Sequence, residues 1–252
     1  MPLETLSDHL SELADITLEE TSRRCWLFIR ERYPHCPPDP KVAIIGYGKL
    51  GGKELGYASD LDLVFLYDDD AFDASDIYGK YVQRINSWLR TTTVSGKLYD
   101  VDLQLRPNGV GGMMAHHKNA FETYERQQAW IWEHQALTRA RFVCGDPALG
   151  QWFENFRITL LREPRDEWAL KSAILDMRHK MASMHRHASA DRFDIKYDRG
   201  GIVDVEFIVQ YLILAHSYAH YDLTRNLGNI ALLKMAADFG LIPEDLSEIV
   251  RS

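Results

Sequence analysis

A glycine-rich segment between two apolar runs most narrowly limits what this chain can fold into. Val42–Ile45 and Leu61–Tyr67 are rich in β-branched and aromatic residues, and each predicts a strand. The connection carries glycines with the GxGxxG spacing of dinucleotide-binding folds, namely Gly46, Gly48 and Gly51. Such folds need a crossover of about a dozen residues, however, and only the stretch from Gly52 to Ser59 remains for a helix. The sequence therefore disfavours a dinucleotide-dependent oxidoreductase, which is kept as the third interpretation.

Two carboxylates stand where the second apolar run begins, in the sequence Asp60-Leu61-Asp62. On a strand, alternation places both carboxylates on one side and turns Leu61 and Leu63 to the core. Acids at this spacing before a hydrophobic strand are costly unless they pair with a metal, and carboxylate oxygens are typical ligands of divalent cations. The pair therefore predicts a divalent cation site, with the neighbouring glycines as a phosphate cradle.

Further acids lie in the run Leu98–Arg106, whose alternating character predicts a strand that ends before Pro107. A period of two places four polar side chains on one face of this strand, namely Asp100, Asp102, Gln104 and Arg106. With Asp60 and Asp62, Asp102 would complete a set of acids on adjacent strands that suits two Mg²⁺ ions in phosphoryl-type transfer. Alternation alone also allows Asp100 to reach the metals.

The composition excludes several classes of protein. The chain has 252 residues, of which 46% are hydrophobic and 26% charged, as in an ordinary globular protein. Its formal net charge of −8 has the wrong sign for binding nucleic-acid phosphates. The three scattered cysteines predict free thiols in a reducing cytoplasm, and no apolar signal core follows the N-terminus. The longest apolar stretch, Val205–Ala215, is far shorter than the roughly 20 residues that span a bilayer. We therefore expect a cytoplasmic protein that binds neither nucleic acid nor membrane.

The N-terminal part of the chain has helical periodicity. Leucines recur at three- and four-residue intervals over Leu3–Leu13, and Thr17-x-x-Glu20 matches a capping box, so two opening helices are expected. Four prolines in Pro34–Pro40 mark the clearest boundary of the sequence. Apolar residues between Ser75 and Leu89 predict a further helix.

From Asn119 onward the apolar residues keep helical spacing. Their seams lie over Trp152–Leu160, Leu170–Met184, Asp204–Tyr218 and Leu227–Ala237, the last capped by Gly240. Asp204–Tyr218 is apolar on nearly all sides, which predicts a buried helix. The pattern breaks off at Ser252, which suggests a fragment of a longer protein. These features together predict an α+β fold, with a small α/β unit followed by an all-helical one.

Several sequence blocks carry a resemblance to a known family. The segment Gly46–Asp62, with eleven residues between Gly48 and Asp60, resembles the nucleotidyltransferase motif of bifunctional glutamine synthetase adenylyltransferase/adenylyl-removing enzymes. Further blocks similar to that family are Leu98–Pro107, Ala129–Ala136 with Arg139 and Arg141, Arg192–Lys196 and Gly200–Phe207. The block Trp130–Ala136 resembles the C-terminal half of these enzymes, which adds AMP. Three positions, Ala58, Asp100 and Gln104, carry residues that differ from those usual in the family. None of the three candidate metal ligands, Asp60, Asp62 and Asp102, is among them.

The resemblance implies a nucleotidyltransferase, polymerase-beta-like fold, with a small mixed sheet, flanking helices and a helical bundle after it. It implies N-terminal helices over residues 1–36, a nucleotidyltransferase catalytic domain over 37–145 and a truncated helical bundle domain over 146–252. It also implies an enzyme that uses Mg²⁺ to transfer AMP from ATP to a tyrosine hydroxyl of glutamine synthetase, releasing pyrophosphate and regulating nitrogen assimilation. The PII signal protein and glutamine are its expected effectors.

The same resemblance assigns roles to single residues. Asp60 and Asp62 would bridge two Mg²⁺ ions, and Asp102, which the family pattern selects over Asp100, would complete the metal on the side of the nucleophile. Backbone N–H groups of Gly51 and Gly52, where a short helix is expected to begin, would hold the triphosphate. The remaining nucleotide-binding candidates are Lys49, Ser59 and Arg106. The alternative from another class is a non-catalytic regulatory or protein-binding module whose acids hold a structural metal.

Overall fold

The computed structural model describes residues 2–184 and 193–243. Its strands are β1 Val42–Gly46, β2 Leu61–Tyr67, β3 Val101–Asp102, β4 His116–His117 and β5 Arg141–Gly145. Its helices are α1 Leu3–Arg32, α2 Gly48–Gly51, α3 Ala74–Arg90, α4 Lys118–Gln127, α5 Ile131–Leu137, α6 Pro147–Leu161, α7 Glu167–Met184, α8 Ile202–His216 and α9 Asn229–Asp238. Short 3₁₀ turns lie at Gly109–Gly111 and Tyr221–Thr224. The predicted strands β1 and β2 and the predicted helices α3 and α6–α9 are confirmed within a few residues.

The strands form one small mixed sheet in the order β3-β2-β1-β5, with β4 also paired to β2. β1 runs antiparallel to both β2 and β5, whereas β3 and β4 run parallel to β2. The predicted α+β class is thereby confirmed. Because β1 and β2 are antiparallel, the glycine-rich connection needs no crossover helix, and the parallel strands of a dinucleotide-binding unit are absent from this pair.

An aromatic and aliphatic core holds the sheet against α1 and α3. All five residues of β1 are buried. Trp26 of α1 stacks on Tyr78 of α3 with 5.5 Å between ring centroids, and Tyr78 stacks on Tyr67 of β2 at 4.8 Å. Burial of a Leu, Ile or Phe side chain in such a core contributes roughly 1.5–3 kcal/mol. The strands that carry the candidate site are therefore fixed from the side of these two helices.

The opening of the chain differs from the prediction, because one helix of 30 residues replaces the two expected. Thr17 does not cap a helix: its hydroxyl donates to the carbonyl of Leu13 at 2.7 Å, inside the turn. Glu20 binds Arg23 and Arg24 on the helix surface. The capping-box interpretation is wrong because the same residue types also make bonds within a continuous helix.

The strand predicted over Leu98–Arg106 is also wrong in extent, since only Val101 and Asp102 pair with β2. The chain turns immediately afterwards, where the N–H of Gln104 donates to Oδ1 of Asp102 at 2.7 Å. Aspartate side chains often bond the backbone two residues on and so initiate turns. The predicted alternation therefore ends at Asp102, although the strand itself lies next to β2 as expected. The sequence analysis also missed β4 and β5.

The chain divides into two compact units. The first comprises the described residues of Met1–Ala129 and Arg139–Arg157, and it contains α1 together with the whole sheet. The second comprises the described residues of Trp130–Thr138 and Ile158–Ser252. The boundaries predicted at residues 36 and 145 stay predictions.

The second unit is helical over its described residues, and α8 contacts α5, α7 and α9. Only part of α8 is buried, because Ile202 and Ile208 are 51% and 52% exposed. The expectation of a helix buried on nearly all sides is therefore wrong. A bundle in this unit stays a prediction, and residues 185–192 and 244–252 lie outside the described residues, Arg192 and Ser252 among them.

Two expectations about the whole chain can be compared with the structure. The three cysteines, Cys25, Cys36 and Cys144, are free thiols, as predicted, and all three are buried. Within the described residues, no helix has both the length and the apolar character needed to cross a membrane.

Candidate active site

The structure brings Asp60, Asp62 and Asp102 together at one edge of the sheet. Asp60 immediately precedes β2, and the parallel pairing of β2 with β3 places Asp62 opposite Asp102. Each of the three carboxylates offers an oxygen atom within 4.8 Å of the other two. Asp60 is exposed, and the other two are half-buried. The site therefore consists of acids from two neighbouring strands, open to solvent on one side.

The burial of the neighbouring leucines explains why these carboxylates face outward. Leu61 and Leu63 of β2 are fully buried in the core. Because successive side chains of a strand point to opposite faces, Asp60 and Asp62 must lie on the other face. The alternation predicted for this segment is thus confirmed.

The chemistry of this group suits a hard divalent cation. Its ligands are carboxylate oxygens, and Mg²⁺ in proteins is held by oxygen at about 2.0–2.1 Å, so opposite ligands of one ion lie about 4.2 Å apart. The carboxylate oxygens of the three residues lie within 4.8 Å of one another, so only small side-chain movements are needed to reach that spacing. Carboxylates this close repel one another, and a bound cation offsets the repulsion. Among the described residues, no other group of three or more His, Cys, Asp and Glu side chains comes this close together.

The glycine-rich turn Tyr47–Gly52, called the glycine turn below, lies directly against the carboxylate of Asp62. The N–H of Tyr47 donates to the backbone carbonyl of Asp62 at 2.9 Å, and the short helix α2 begins at the next residue. Gly48 has a φ of +55°, and a Cβ atom there would lie 2.3 Å from Oδ2 of Asp62. Only glycine fits this position, because both the backbone conformation and the space exclude a side chain.

The expected role of Gly51 and Gly52 is not supported by the structure. The helix begins at Gly48, so these two residues lie at its end, and their N–H groups donate to the carbonyls of Tyr47 and Gly48 at 2.9 and 3.0 Å. The expectation that a helix begins here and leaves both N–H groups for phosphate is wrong. Both glycines instead allow close packing: a Cβ at Gly51 would lie 1.8 Å from the carbonyl oxygen of Arg139, and one at Gly52 would lie 2.8 Å from its Nη2.

The other nucleotide-binding candidates occupy different places around the acids. Lys49 is exposed on α2. Ser59 closes the turn before Asp60, since its Oγ accepts from the N–H of Gly56 at 3.0 Å. The guanidinium of Arg106 donates to the carbonyls of Leu103 and Gly112 and braces the loop after β3. Binding of nucleotide by these three side chains stays a prediction.

Asp100 lies apart from the carboxylate group. It is exposed, and Lys97 donates to its carboxylate at 2.5 Å. This hydrogen bond and the charge of Lys97 lower the pKa of Asp100 below its ordinary value. The backbone carbonyl of Asp100 accepts from the N–H of Leu61 at 2.9 Å, so this residue serves the strand pairing.

Two buried arginines near β5 hold the glycine turn, and the sequence analysis gave them no role. Arg139 binds the carboxylate of Glu54, just after the turn. Arg141 donates to the carbonyl of Leu50 at 3.1 Å. The signal in the sequence was the presence of two charged residues next to an apolar strand, because arginine is rarely buried unless it is paired.

Comparison with known proteins places the chain in a family. The family model of glutamate-ammonia ligase adenylyltransferase matches residues 1–156. The chain is 54% identical over 247 residues to the bifunctional glutamine synthetase adenylyltransferase/adenylyl-removing enzyme of Bordetella bronchiseptica, covering 98% of this chain and 26% of that protein. The protein of the same name from Nitrosomonas europaea is 55% identical over 239 residues, covering 95% of this chain and 25% of that protein. The chain thus spans about a quarter of the length of these relatives. On this evidence it is a member of the glutamate-ammonia ligase adenylyltransferase family.

Proposed function

We propose that this chain transfers AMP from ATP to a tyrosine hydroxyl of glutamine synthetase and releases pyrophosphate. The observation that carries the proposal is the group of three carboxylates, Asp60, Asp62 and Asp102, beside a glycine turn. The names of the relatives supply the acceptor protein, and their shared family supplies the class of reaction. A nucleotidyltransferase fold of the polymerase-beta type is part of the proposal, supported by two acids at the start of one strand and a third on the neighbouring strand.

Mg²⁺ is the proposed cofactor, in two ions, and Asp60, Asp62 and Asp102 are the residues that would hold them. When bound, such ions supply positive charge to the phosphate oxygens and lower the pKa of a bound hydroxyl group. The observed group fits this role because its ligand atoms are all carboxylate oxygens with little separation. ATP is the proposed substrate that brings the AMP group.

The residues of the chain have separate roles in the proposed reaction. The tyrosine oxygen attacks the α-phosphorus, the bond from that phosphorus to the bridging oxygen breaks, and pyrophosphate leaves with the electron pair. Asp102, half-buried beside Asp62, accepts the proton of the phenol, whose ordinary pKa is about 10. Gly48 lets the backbone of the turn lie directly against the carboxylate of Asp62, because a side chain at this position would collide with that carboxylate.

The experiment uses ATP labelled at the α-phosphate, Mg²⁺, this chain and unmodified glutamine synthetase. We expect label on a tyrosine of glutamine synthetase, identified by peptide mass, and an equal amount of pyrophosphate. The matched control is Asp62→Asn, which keeps the shape of the side chain and removes a charged ligand. Label that stays on ATP while Mn²⁺ still binds the chain contradicts the proposal and supports a binding module with a structural metal.

The direction of the reaction belongs to the same proposal. The relatives are named for both adding and removing AMP, and the block Trp130–Ala136 resembles the half that adds it. We therefore expect no release of AMP when this chain is incubated with inorganic phosphate and adenylylated glutamine synthetase. Efficient phosphate-dependent release would assign the chain to the removing half. Control by the PII signal protein and by glutamine, and a cytoplasmic location, remain proposals drawn from the family.

A further inference from the structure

A buried arginine links the N-terminal helix to the glycine turn of the candidate site. Arg141 is 7% exposed and stands at the start of β5, where it pairs with Gly46, the last residue of β1. Its Nε donates to the carbonyl of Leu50 in α2 at 3.1 Å. Its Nη1 and Nη2 donate to the two carboxylate oxygens of Asp15 in α1, at 2.9 and 2.7 Å. One side chain thus holds the helix and the turn at the same time.

The geometry of this contact is specific to arginine. Three of the five N–H donors of the guanidinium group bind two elements, and the two donors to Asp15 form a fork that matches a carboxylate. A lysine in this position carries the same charge but has no planar fork. The pairing also neutralises a buried charge, which fixes the arginine in one orientation.

The turn held in this way is the one that lies on Asp62. Leu50 is two residues after Gly48, and Gly48 allows no side chain between itself and Oδ2 of Asp62. Arg139 holds the far side of the same turn through Glu54. A displacement of α2 therefore changes the position of Gly48 relative to the carboxylates.

We propose that Arg141 and Asp15 are positioning residues that fix the glycine turn against Asp62, so that α1 forms part of the catalytic unit. The consequences for AMP transfer rest on the proposed function. The consequences for the turn itself rest only on the contacts described above.

The test compares Asp15→Asn and Arg141→Lys with a control variant that removes a different contact of α1. The control is Tyr81→Phe, which removes the buried hydrogen bond between Tyr81 of α3 and Ser22 of α1, 2.5 Å long, without touching the turn. The variants are compared after their unfolding free energies have been measured. Asp15→Glu, which keeps a carboxylate, serves as the conservative variant.

The first readout is hydrogen exchange at the amides of Gly51 and Gly52, which donate within the turn. We expect about tenfold faster exchange in Asp15→Asn and Arg141→Lys, since opening of a local segment sets the exchange rate. Tyr81→Phe should leave these two amides unchanged. This readout does not depend on any enzymatic activity, and unchanged exchange in both Asp15→Asn and Arg141→Lys overturns the proposal.

The second readout is the kinetics of AMP transfer. We expect kcat to fall by about 10² in Arg141→Lys, because misplacement of reacting groups by about 1 Å has an effect of this size. The KM for glutamine synthetase should stay the same, and Asp15→Glu should recover activity relative to Asp15→Asn. If Arg141 and Asp15 only stabilise the fold, Asp15→Asn should lower the free energy of unfolding as Tyr81→Phe does and leave kcat per folded molecule unchanged. That result would contradict the proposal.

The two readouts separate this inference from the proposed function. Faster exchange with no AMP transfer by any variant, including the unaltered chain, contradicts the function and leaves the positioning of the turn supported. Normal transfer by the unaltered chain, with no effect of Asp15→Asn or Arg141→Lys on exchange or kcat, contradicts the positioning and supports the function.

Discussion

Asp62 meets the glycine turn and the parallel strand pair at one point, with its carboxylate against Gly48 and its backbone opposite Asp102. We predict that Asp62→Asn lowers AMP transfer at least about 10²-fold, the size of loss seen when charge stabilisation of a transition state is removed. The fold should persist, because asparagine has nearly the same shape. Circular dichroism and thermal unfolding give the control, and retained transfer in a folded variant contradicts the role of Asp62.

Asp102 in β3 and Asp100 just before this strand provide a second comparison between single residues. We predict that Asp102→Asn abolishes transfer at saturating Mg²⁺, whereas Asp100→Asn lowers it only modestly. Asp102 lies within the carboxylate group, but Asp100 binds Lys97 on the surface. Initial rates over a range of Mg²⁺ concentrations measure both effects. The reverse order would make Asp100 the ligand.

At the scale of single residues, alternation predicted from the sequence that Asp60 and Asp62 share a face opposite Leu61 and Leu63. The roles of Gly51 and Gly52 were not predictable, because GxGxxG spacing does not say where a helix begins. The spacing also does not reveal the close packing at these glycines, because Arg139, which follows 87 residues after Gly52 in the sequence, fills the space beside both of them. The spacing of glycines within a motif therefore indicates where the backbone packs closely against another group, but it does not identify that group.

At the scale of elements, the turn Tyr47–Gly52 can be tested by filling the space at Gly48. We predict that Gly48→Ala lowers AMP transfer about 10²-fold, because the new methyl group would displace the turn or the carboxylate of Asp62. The backbone strain at positive φ destabilises the fold by about 1–2 kcal/mol.

Gly79 in α3 is the matched control for that variant, because no heavy atom other than those of its chain neighbours and of the nearby backbone of α3 lies within 4 Å of a Cβ placed there. Gly79→Ala should leave transfer unchanged and stabilise the fold by about 0.5–1 kcal/mol. Rates and urea unfolding of the two variants give the comparison. Full transfer by Gly48→Ala would show that the close contact with Asp62 is not needed.

Elements with strong periodicity were predictable, and short ones were not. β2 and α3 carry continuous apolar patterns, and the structure confirms them. β5 has five residues with a charged arginine at its start, and its place in the sheet depends on pairing with β1, about a hundred residues earlier. The predicted length of β3 was wrong because the Asp102 side chain accepts a hydrogen bond from the backbone N–H of Gln104 and starts a turn. Long-range strand pairing and local hydrogen bonds in turns thus determine the place and the length of the short strands, which periodicity alone does not predict.

At the scale of the whole molecule, the buried thiols make stability depend on pH. Burial raises the pKa of Cys25 and of Cys144 from 9.0 to about 12. The unfolded chain releases these protons at lower pH than the folded chain, so the contribution of the two thiols to the free energy of unfolding is fully present below about pH 9 and is lost as the pH rises toward 12. Each thiol contributes at most about 1.4 kcal/mol per pH unit.

Urea unfolding under reducing conditions at pH 8, 9 and 10 measures this dependence. Cys144→Ala should lower stability at pH 8 through the lost packing but should also flatten the decline between pH 9 and 10. An equally steep decline in the variant and in the unaltered chain would assign the effect to other groups.

The order of the strands also governs how the chain is made. β1 lies inside the sheet, yet β5, its partner on one side, is the last of the described strands to leave the ribosome. Until Arg141–Gly145 has been synthesised, β1 presents an open apolar edge, and such edges promote aggregation. A chain that stops at residue 138 is therefore expected to sediment with insoluble material after expression, whereas one that stops at residue 157 should stay in the supernatant. Equal solubility of the two would mean that β5 is not needed to protect β1 in the nascent protein.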